Sequence, residues 1–317
     1  MSIYYMFGGI FSDSKKKKKR KKRSPKGTRK ISNCYGGAEK RNGTCYSRED
    51  LLTMRNLWNA KHPDKHIKSK DPNGVWKKFD TYLQHVCTSE SCWLKQQFID
   101  KNIASNIFEE SFTPAKPQKW KINPVEWLDS LDIEKVMHQY ENENDNFEFL
   151  GPSPIDFDAI AKGGNDCVFD EICNLNIEEK YNKGIKNLGF IFNLDPHYKS
   201  GSHWVSMFVN LDTNYIFFLD TNGNYIPEQV KQLVKRIKTQ CKSDLHKKMR
   251  FIDNAPRRHQ HEGTECGIYC LYAIVSQLKG IHTPQWIKRN RIPDNEMKEF
   301  RDIFYTDRSP NKLNPIL

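Results

Sequence analysis

Apolar residues recur at helical spacing in the first third of the chain. Residues 47–60 open with a serine and two acids, a pattern typical of a helix N-terminus, and then place Leu51, Met54 and Trp58 on one face. The same periodicity predicts a second helix from about residue 74 to residue 86. Large apolar residues farther along indicate one or two more helices before residue 112.

Two prolines, Pro114 and Pro117, interrupt this helical texture and mark a linker at residues 113–123. We therefore predict a helical N-terminal arm domain over residues 41–115. A separate domain is predicted over residues 116–317, where the pattern of apolar positions is different.

The second domain begins with helical spacing at residues 124–140, which is followed by short apolar runs typical of strands. These runs are separated by stretches with helical spacing, without a regular strand-helix alternation. Such an order predicts an α+β domain with a mixed sheet flanked by helices. The predicted strands cover residues 189–193, 203–210, 215–220 and 249–252, and the predicted helices cover 227–247 and a segment that starts at Cys266.

Charge is concentrated at the N-terminus. Residues 1–30 hold twelve Lys or Arg against one acid, Asp13, so this segment carries +11 of the chain's net +12 and the remainder is close to neutral. A run of like charges repels itself, and we predict a disordered basic tail over residues 1–40. The run at 15–30 could contact nucleic acid or act as a nuclear address; a solvated tail without a partner is the simpler alternative.

Nine cysteines without regular spacing, and no secretory signal, predict a reducing compartment and free thiols instead of disulfides. No apolar run reaches the ~18 residues of a membrane span. A metal site could be assembled from Cys87 and Cys92 with Cys45 or nearby histidines, but no Cys-x-x-Cys pair supports it. We predict neither a metal nor a cofactor.

Two neighbouring strands carry a histidine and an acid at their ends. His203 opens one apolar run and Asp220 closes the next, and the short turn at residues 212–214 predicts a hairpin that brings them together. A carboxylate at the end of an apolar strand needs a partner, and it could hold the imidazole. Each residue also has a structural alternative: a hydrogen-bonded histidine, and an aspartate that starts the turn at Asn222 and Gly223.

Cys266 lies where a polar loop ends and an apolar helix begins. A helix N-terminus stabilises a thiolate, and His203 as proton acceptor would complete an activated nucleophile. Gln260, six residues earlier, can offer a side-chain N–H to a developing oxyanion, and Gly267 leaves room beside the sulfur. A single cysteine is more often a small buried apolar residue. The combination with His203 and Asp220 favours the nucleophile.

The order His203, Asp220, Gln260, Cys266 over residues 123–306 resembles the ubiquitin-like-protein proteases, a superfamily of SUMO proteases and the adenovirus maturation protease. The resemblance implies a papain-like cysteine protease in which His203 is the general base, Asp220 orients it, Cys266 attacks and Gln260 binds the oxyanion. Trp204 would wall the substrate groove, or would simply pack in the core. Residues 127–129, Trp-Leu-Asp, look like the segment that opens such a catalytic domain.

A narrower resemblance is to the polyprotein-processing proteases of African swine fever virus and other large DNA viruses. It rests on Arg258-His259-Gln260, on Thr264-Glu265-Cys266-Gly267 and on the late segment 291–301. That branch has a helical arm domain, and its swine fever member has Asn at the position of Asp220. The resemblance implies location in the host cytoplasm, at sites of virus assembly, and in the virion. A non-viral member would be cytoplasmic or nuclear, and secretion is not expected.

Proteases of this superfamily cleave after Gly-Gly, because the groove is too narrow for side chains. The resemblance therefore implies a protein substrate with a Gly-Gly motif, in polyprotein maturation or, alternatively, on SUMO or a similar modifier. The chain has its own pairs at residues 8–9, 36–37 and 163–164, and cleavage after Gly37 would remove the basic tail. A nucleic-acid-binding protein with an inactive protease-like domain is the alternative from another functional class. The oligomeric state is not predicted.

Overall fold

The computed structural model describes residues 33–38, 43–161, 164 and 166–308. A five-stranded mixed sheet in the order β1 to β5 carries the larger part of the fold. Its strands are β1 (Phe147–Pro154), β2 (Asn187–Asn193), β3 (Trp204–Asn210), β4 (Tyr215–Leu219) and β5 (Arg250–Asp253). The helices are α1 (Arg48–Lys61), α2 (Pro72–Leu83), α3 (Lys101–Ser111), α4 (Ser130–Asn142), α5 (Asp170–Cys173), α6 (Ile177–Asn182), α7 (Glu228–Ser243), α8 (Cys266–Leu278), α9 (Pro284–Arg289), α10 (Asp294–Glu299) and α11 (Arg301–Phe304).

The centre of the sheet confirms the predicted hairpin. Strand β3 pairs antiparallel with β4, in a register that runs from Asn210 opposite Tyr215 to Ser206 opposite Leu219. The turn is held by the Asn210 side chain, which accepts hydrogen bonds from the backbone of Asp212 and Thr213. Strands β1 and β5 pair in parallel with β2 and β4, so the sheet is mixed and the α+β prediction is confirmed.

Helices cover both faces of the sheet because both faces are apolar. Helix α8 packs on one face; its residues from Cys266 to Gln277 are all buried, since helices α4, α10 and α11 cover its other side. Helix α7 packs on the opposite face with one apolar stripe, formed by Val230, Leu233, Ile237 and Cys241. Its remaining surface faces solvent.

Strand β1 was not predicted from the sequence. Its segment contains Gly151, Pro152 and Pro154, residues that weaken a strand and remove backbone donors. The structure accommodates them at the edge of the sheet, where the pairing with β2 is irregular between Leu150 and Ser153. An edge position tolerates missing donors because its outer side needs no partner.

The N-terminal helices pack around their own apolar cluster, which includes Met54, Val75 and Phe79. Helix α1 begins with a capping box between Ser47 and Asp50. Helix α2 begins earlier than predicted, because Asp71 caps it and Pro72 fits the first turn.

The predicted linker at residues 113–123 is packed against the C-terminal part of the chain. The hydroxyls of Thr113 and Thr306 lie 2.8 Å apart in a buried site, and Trp120 is buried in a short 3-10 helix. The linker therefore joins the two parts of the chain rigidly. The division into an arm domain and a catalytic domain stays a prediction.

The C-terminal end of the predicted disordered tail is ordered, which corrects the boundary at residue 40. Residues Tyr35–Gly37 form a 3-10 helix, and both glycines are buried at positive φ. An added Cβ at Gly36 would lie 2.5 Å from the Gln139 carbonyl, and one at Gly37 would lie 2.5 Å from the Tyr140 hydroxyl. Glycine permits this close approach. The basic run itself lies outside the described residues.

The expectation of free thiols is wrong for six of the nine cysteines. Disulfides join Cys34 to Cys45, Cys87 to Cys92 and Cys167 to Cys173. Each closes a loop between residues no more than 11 apart in sequence, so the pairing depends on local chain geometry that irregular spacing did not indicate. Cys87 and Cys92 are therefore not available to the alternative metal site, and the described residues include no cluster of three metal-ligating side chains. None of the helices in the described ranges is long and apolar enough to cross a membrane.

Two buried tyrosines test this packing, because their replacement by phenylalanine should affect the free energy of unfolding differently. The Tyr305 hydroxyl donates to the Asp132 carbonyl at 3.0 Å, whereas the Tyr140 hydroxyl has no partner among the described residues. We expect Tyr305→Phe to lower the free energy of unfolding by about 1 kcal/mol, through loss of a hydrogen bond and an orphaned carbonyl. Tyr140→Phe should leave it unchanged or raise it, because an unsatisfied polar group is removed. Urea unfolding of both variants decides, and two losses of similar size would contradict the expectation.

Candidate active site

His203 lies directly before β3, the central strand of the sheet, and hydrogen bonds of the backbone fix the chain at this strand end. Its carbonyl accepts from the Leu194 N–H, and the preceding Ser202 N–H donates to the Asn193 side chain. The ring is largely buried, and its Nε2 lies 2.8 Å from Oδ1 of Asp220. The hairpin therefore brings together the two residues that the sequence predicted to meet.

Asp220 follows β4 immediately and is buried. Its Oδ1 also accepts from the Asn222 N–H at 2.8 Å, and its Oδ2 accepts from the Asn224 side chain at 2.9 Å. Asn254 holds the backbone of Asp220 through both its N–H and its carbonyl. The turn-forming role and the contact to His203 hold together, so the two sequence interpretations of Asp220 were compatible.

The ionisation of this pair is set by opposing effects. Burial alone lowers the pKa of His203, but hydrogen bonds and charge interactions with Asp220 and Cys266 outweigh it and raise the pKa from 6.5 to about 9. Burial raises the pKa of Asp220, and the contacts with His203, Asn222 and Asn224 outweigh it, so that pKa lies below its usual value. The stability contributed by the raised His203 pKa is present below about pH 6.5 and is lost as pH rises through about 9. The stability that the lowered pKa of Asp220 contributes is lost as pH falls through that pKa.

Cys266 is the first residue of α8, and its side chain is a hydrogen-bonding partner of His203. It is buried, at 2% exposure, and is one of three cysteines that form no disulfide. Of the other two, burial raises the pKa of both Cys270 and Cys241, which favours the neutral thiol. Cys266 alone of the three faces the imidazole and the positive end of a helix dipole.

Gly267 has a packing role beyond the space it leaves at the sulfur. A Cβ there would lie 3.1 Å from the side chain of Leu128, which packs against the first turn of α8. The Leu128 carbonyl in turn accepts from Nε1 of Trp204 at 2.9 Å. Glycine therefore lets α8 approach the segment before α4 closely.

Gln260 is buried beside Thr221, which follows Asp220 in the chain. Its Oε1 accepts from the Thr221 hydroxyl at 2.9 Å, and one of its amide hydrogens donates to the Glu262 carbonyl. These contacts fix the orientation of the terminal amide of Gln260, with its oxygen toward Thr221 and its NH2 group toward Glu262. The second amide hydrogen is the one that remains for another acceptor.

Trp204 is buried in the core, and it also lines a cleft of about 470 Å³. Its role as a wall of the substrate groove stays a prediction. Trp127, which is 37% exposed, lines the same cleft together with Gly201 and Pro196. The exposed indole of Trp127 was not singled out from the sequence as a cleft residue.

The largest feature that sequence reasoning missed is a buried ion pair directly before Cys266. Glu265 is completely buried and accepts two hydrogen bonds from Arg301, at 2.8 and 3.0 Å. Arg301 also donates to the backbone carbonyls of Val125, Glu126 and Thr264 and stacks over Trp120. The segment that contains Arg301 was noted only as a likeness to viral relatives, and the structure gives it a physical role.

The same late segment supports the loop between Gln260 and Cys266. The Asp294 carboxylate accepts from the His261 N–H and from the Tyr269 hydroxyl, and it pairs with Arg291 at 2.7 Å. Arg291 also donates to the His259 carbonyl. The loop is therefore held from α8 on one side and from residues 291–301 on the other.

Comparison with known proteins agrees with this geometry. Residues 175–312 match the model of the Ulp1 protease family, C-terminal catalytic domain. Over this range the chain is similar to the catalytic domain of a family of cysteine proteases. It is a cysteine-type peptidase that acts on protein.

The relatives extend the likeness beyond that domain. A protein of Acanthamoeba polyphaga mimivirus, provisionally named a thiol protease, is 27% identical over 87% of this chain and 93% of its own length. The SUMO-1 cysteine protease of an African swine fever virus isolate from Kenya is 26% identical over 75% of this chain and 92% of its own length. The crystal structure of an African swine fever virus protease has the same fold, with a TM-score of 0.60 over 87% of this chain, 96% of that one and 20% identity.

The buried ion pair yields a prediction for stability. Arg301→Met leaves Glu265 as a buried charge without a partner, and we expect a loss of about 3–5 kcal/mol in the free energy of unfolding. Adding Glu265→Gln should restore part of that loss, because the orphaned charge is removed. Urea unfolding of the single and double variants measures both effects. A double variant that is less stable than Arg301→Met alone would contradict the argument.

Proposed function

We propose that the peptidase is a thiol endopeptidase in which Cys266 is the nucleophile, His203 the general acid and base, and Asp220 the residue that orients the histidine. The observation that carries this proposal is the continuous chain of contacts from Asp220 through the His203 ring to Cys266. Nε2 faces the carboxylate, which leaves Nδ1 for the sulfur. The raised pKa of His203 keeps its imidazole protonated at neutral pH, as proton donation to the leaving group requires.

In the proposed reaction the Cys266 thiolate attacks the scissile carbonyl carbon. The oxyanion receives hydrogen bonds from the Cys266 backbone N–H and from the free amide hydrogen of Gln260. The His203 imidazolium then gives its proton to the leaving amine, and a thioester forms as the C–N bond breaks. A water molecule, deprotonated by His203, attacks the thioester, and the second product leaves as a carboxylate with Cys266 free again.

The substrate that fits best is a chain with glycine at the acyl side of the cleaved bond. The thiol is buried, and the indoles of Trp127 and Trp204 line a cleft that begins one residue after His203 in the chain, which is the proposed path of the acyl segment. Side chains at the last residues of the acyl segment would compete with these walls for space. Gly-Gly sites are therefore the proposed targets.

Maturation of a viral polyprotein is the proposed role, since the similar proteins are proteases of two large DNA viruses. The proposed location is the host cytoplasm and the virion. Cleavage of SUMO or a similar modifier is the second candidate, because one relative carries the name SUMO-1 cysteine protease. Contact of residues 15–30 with nucleic acid concerns residues outside the described part and stays a prediction.

Self-cleavage after Gly37 fits the folded chain poorly. Both glycines of that pair are buried, and the Gly36 N–H donates to the Gln139 side chain. Cleavage there would require this turn to detach from α4. The pair at residues 8–9 lies outside the described residues, as does Gly163, and both stay untested.

A peptide panel tests the proposed specificity. Purified enzyme is offered peptides with Gly-Gly-x, Ala-Gly-x and Gly-Ala-x, beside a SUMO fusion, with Cys266→Ala as the control. We expect Gly-Gly-x to be cleaved and each added methyl group to lower kcat/KM about 10- to 200-fold, because the cleft excludes it. Equal cleavage of all three peptides would refute the Gly-Gly specificity. Efficient release of SUMO would favour the second candidate.

The raised pKa of His203 yields a prediction for the pH dependence of kcat/KM. The active ion pair is lost when the imidazolium deprotonates, so the alkaline limb should fall near pH 9. Asp220→Asn keeps a hydrogen-bonding side chain but removes the charge that holds the proton. We expect its alkaline limb to shift toward pH 6.5. An unchanged limb in Asp220→Asn would show that the carboxylate does not set the ionisation of His203.

A further inference from the structure

A second open site lies on the outer side of α7, and its lining shares no residue with the cleft beside Trp204. Helix α7 buries one stripe in the core, and its opposite flank forms one wall of an open groove of about 900 Å³. The other wall is the segment 247–251, which leads into the edge strand β5. No part of the proposed peptidase mechanism uses these residues.

Lysines line this groove at regular helical spacing. Lys231, Lys235, Lys238 and Lys242 follow one another at intervals of four, three and four residues, which places them along one face of α7 over about 16 Å. Lys248 extends the row on the opposite wall, whereas the ammonium of Lys247 is engaged by the Leu211 carbonyl and the Tyr181 ring. The chain outside its tail is close to neutral in sum, but the lysines on this face of α7 form a strongly positive strip.

The positive charge of the groove is not balanced by acids. Glu228 is the acidic residue among those that line it, and its carboxylate is engaged by Lys231 at 3.1 Å. Lys235, Lys238 and Lys242 are exposed and form no ion pair with any described residue. Like charges on successive turns repel each other, so an anionic partner would stabilise this face.

The floor of the groove is apolar, which distinguishes it from a solvated row of lysines. Ile226, Val234, Met249 and Phe251 lie between the two positive walls. A ligand that fills the groove must present apolar groups to the floor and negative charge to the rim. A protein segment that combines Asp or Glu with Leu or Phe meets both requirements, as amphipathic segments do in apolar grooves.

Nucleic acid fits the groove less well. A single strand would bring phosphates to the lysines, but its bases need aromatic platforms. Phe251 is the one aromatic side chain among the lining residues, and it is half-buried. The lining also lacks arginine, the side chain that binds phosphate with two parallel hydrogen bonds.

The segments of this sequence outside the described residues do not have the chemistry that the groove requires. The segments outside the described residues are themselves basic: residues 1–30 carry +11, and residues 309–317 contain Lys312 and no acid. We propose that the groove between α7 and residues 247–251 is a docking site for an acidic segment with apolar side chains in a partner protein. Binding there is independent of the peptidase chemistry and can be measured without turnover.

Fluorescence anisotropy with the full-length chain tests this proposal. The probe is a labelled peptide of about 16 residues, long enough to follow α7, that alternates Asp or Glu with Leu or Phe. Two companion probes are the same peptide with Ser in place of Leu and Phe, and a single-stranded DNA oligonucleotide. The test variant is Lys235→Glu/Lys238→Glu/Lys242→Glu. Its matched control is Lys65→Glu/Lys68→Glu/Lys70→Glu, which changes three exposed lysines elsewhere and leaves the same basic tail and net charge.

We expect the groove variant to bind the amphipathic peptide at least about tenfold more weakly, and the matched control to change its affinity less than about twofold. The Ser-containing peptide should bind the native chain about tenfold more weakly than the apolar one, because it cannot fill the floor. Both variants should cleave a short Gly-Gly peptide as the native chain does, which shows that the fold is intact.

Four results would overturn the proposal. Equal losses in the two triple variants would show that peptide binding follows net charge or the tail. Equal affinity of the native chain for the Ser-containing and the apolar peptide would show that the apolar floor of the groove does not contribute to binding. Groove-dependent binding of the oligonucleotide alone, or concentration-dependent self-association that only the groove variant abolishes, would assign the groove to nucleic acid or to a second copy of the chain.

Discussion

The geometry of the active site depends on the buried contact between Arg301 and Glu265. Both side chains are withdrawn from water next to Cys266, the first residue of α8; Arg301 is 5% exposed and Glu265 is 0% exposed. Burying two charges costs several kcal/mol per ion, and the cost is offset only when the geometry is good and further hydrogen bonds satisfy both groups. Here the three guanidinium nitrogens all donate, to both carboxylate oxygens of Glu265 and to three backbone carbonyls.

The consequence is that three distant stretches of chain are fixed relative to one another. Residues 125–126 lie just before Leu128, whose carbonyl holds Trp204 beside His203. Residues 264–265 lead directly into Cys266. One arginine therefore fixes the start of α8 relative to the segment that supports the other side of the cleft. The hairpin of β3 and β4 supplies the second constraint, because its register fixes His203 beside Asp220.

The hairpin and the helix at Cys266 could be predicted from sequence because both are local. A two-strand register follows from alternating apolar residues and a short turn, and a helix start follows from a change in periodicity. The Glu265–Arg301 pair could not be predicted in this way, since its members are 36 residues apart and each resembles an ordinary surface charge in sequence. Three further features were not predicted. Strand β1 was missed because its prolines and glycine are atypical of a strand. The disulfides and the packing of residues 33–38 depend on contacts that form only in three dimensions.

The distribution of charge over the surface also could not be predicted from the sequence. Summed along the chain, the basicity belongs to the N-terminal tail, and the remainder looks neutral. In three dimensions the acids gather at ion pairs such as Lys180 with Glu148 and Arg236 with Asp158, while three outer lysines of α7, Lys235, Lys238 and Lys242, form no ion pair with any described residue. Net charge describes a sum, whereas binding depends on how the charges are distributed over the surface. A peptidase with a buried thiol and the proposed preference for glycine would gain little affinity from the residues next to the cleaved bond. A distant groove that holds another part of a protein partner would supply binding energy that the narrow cleft cannot.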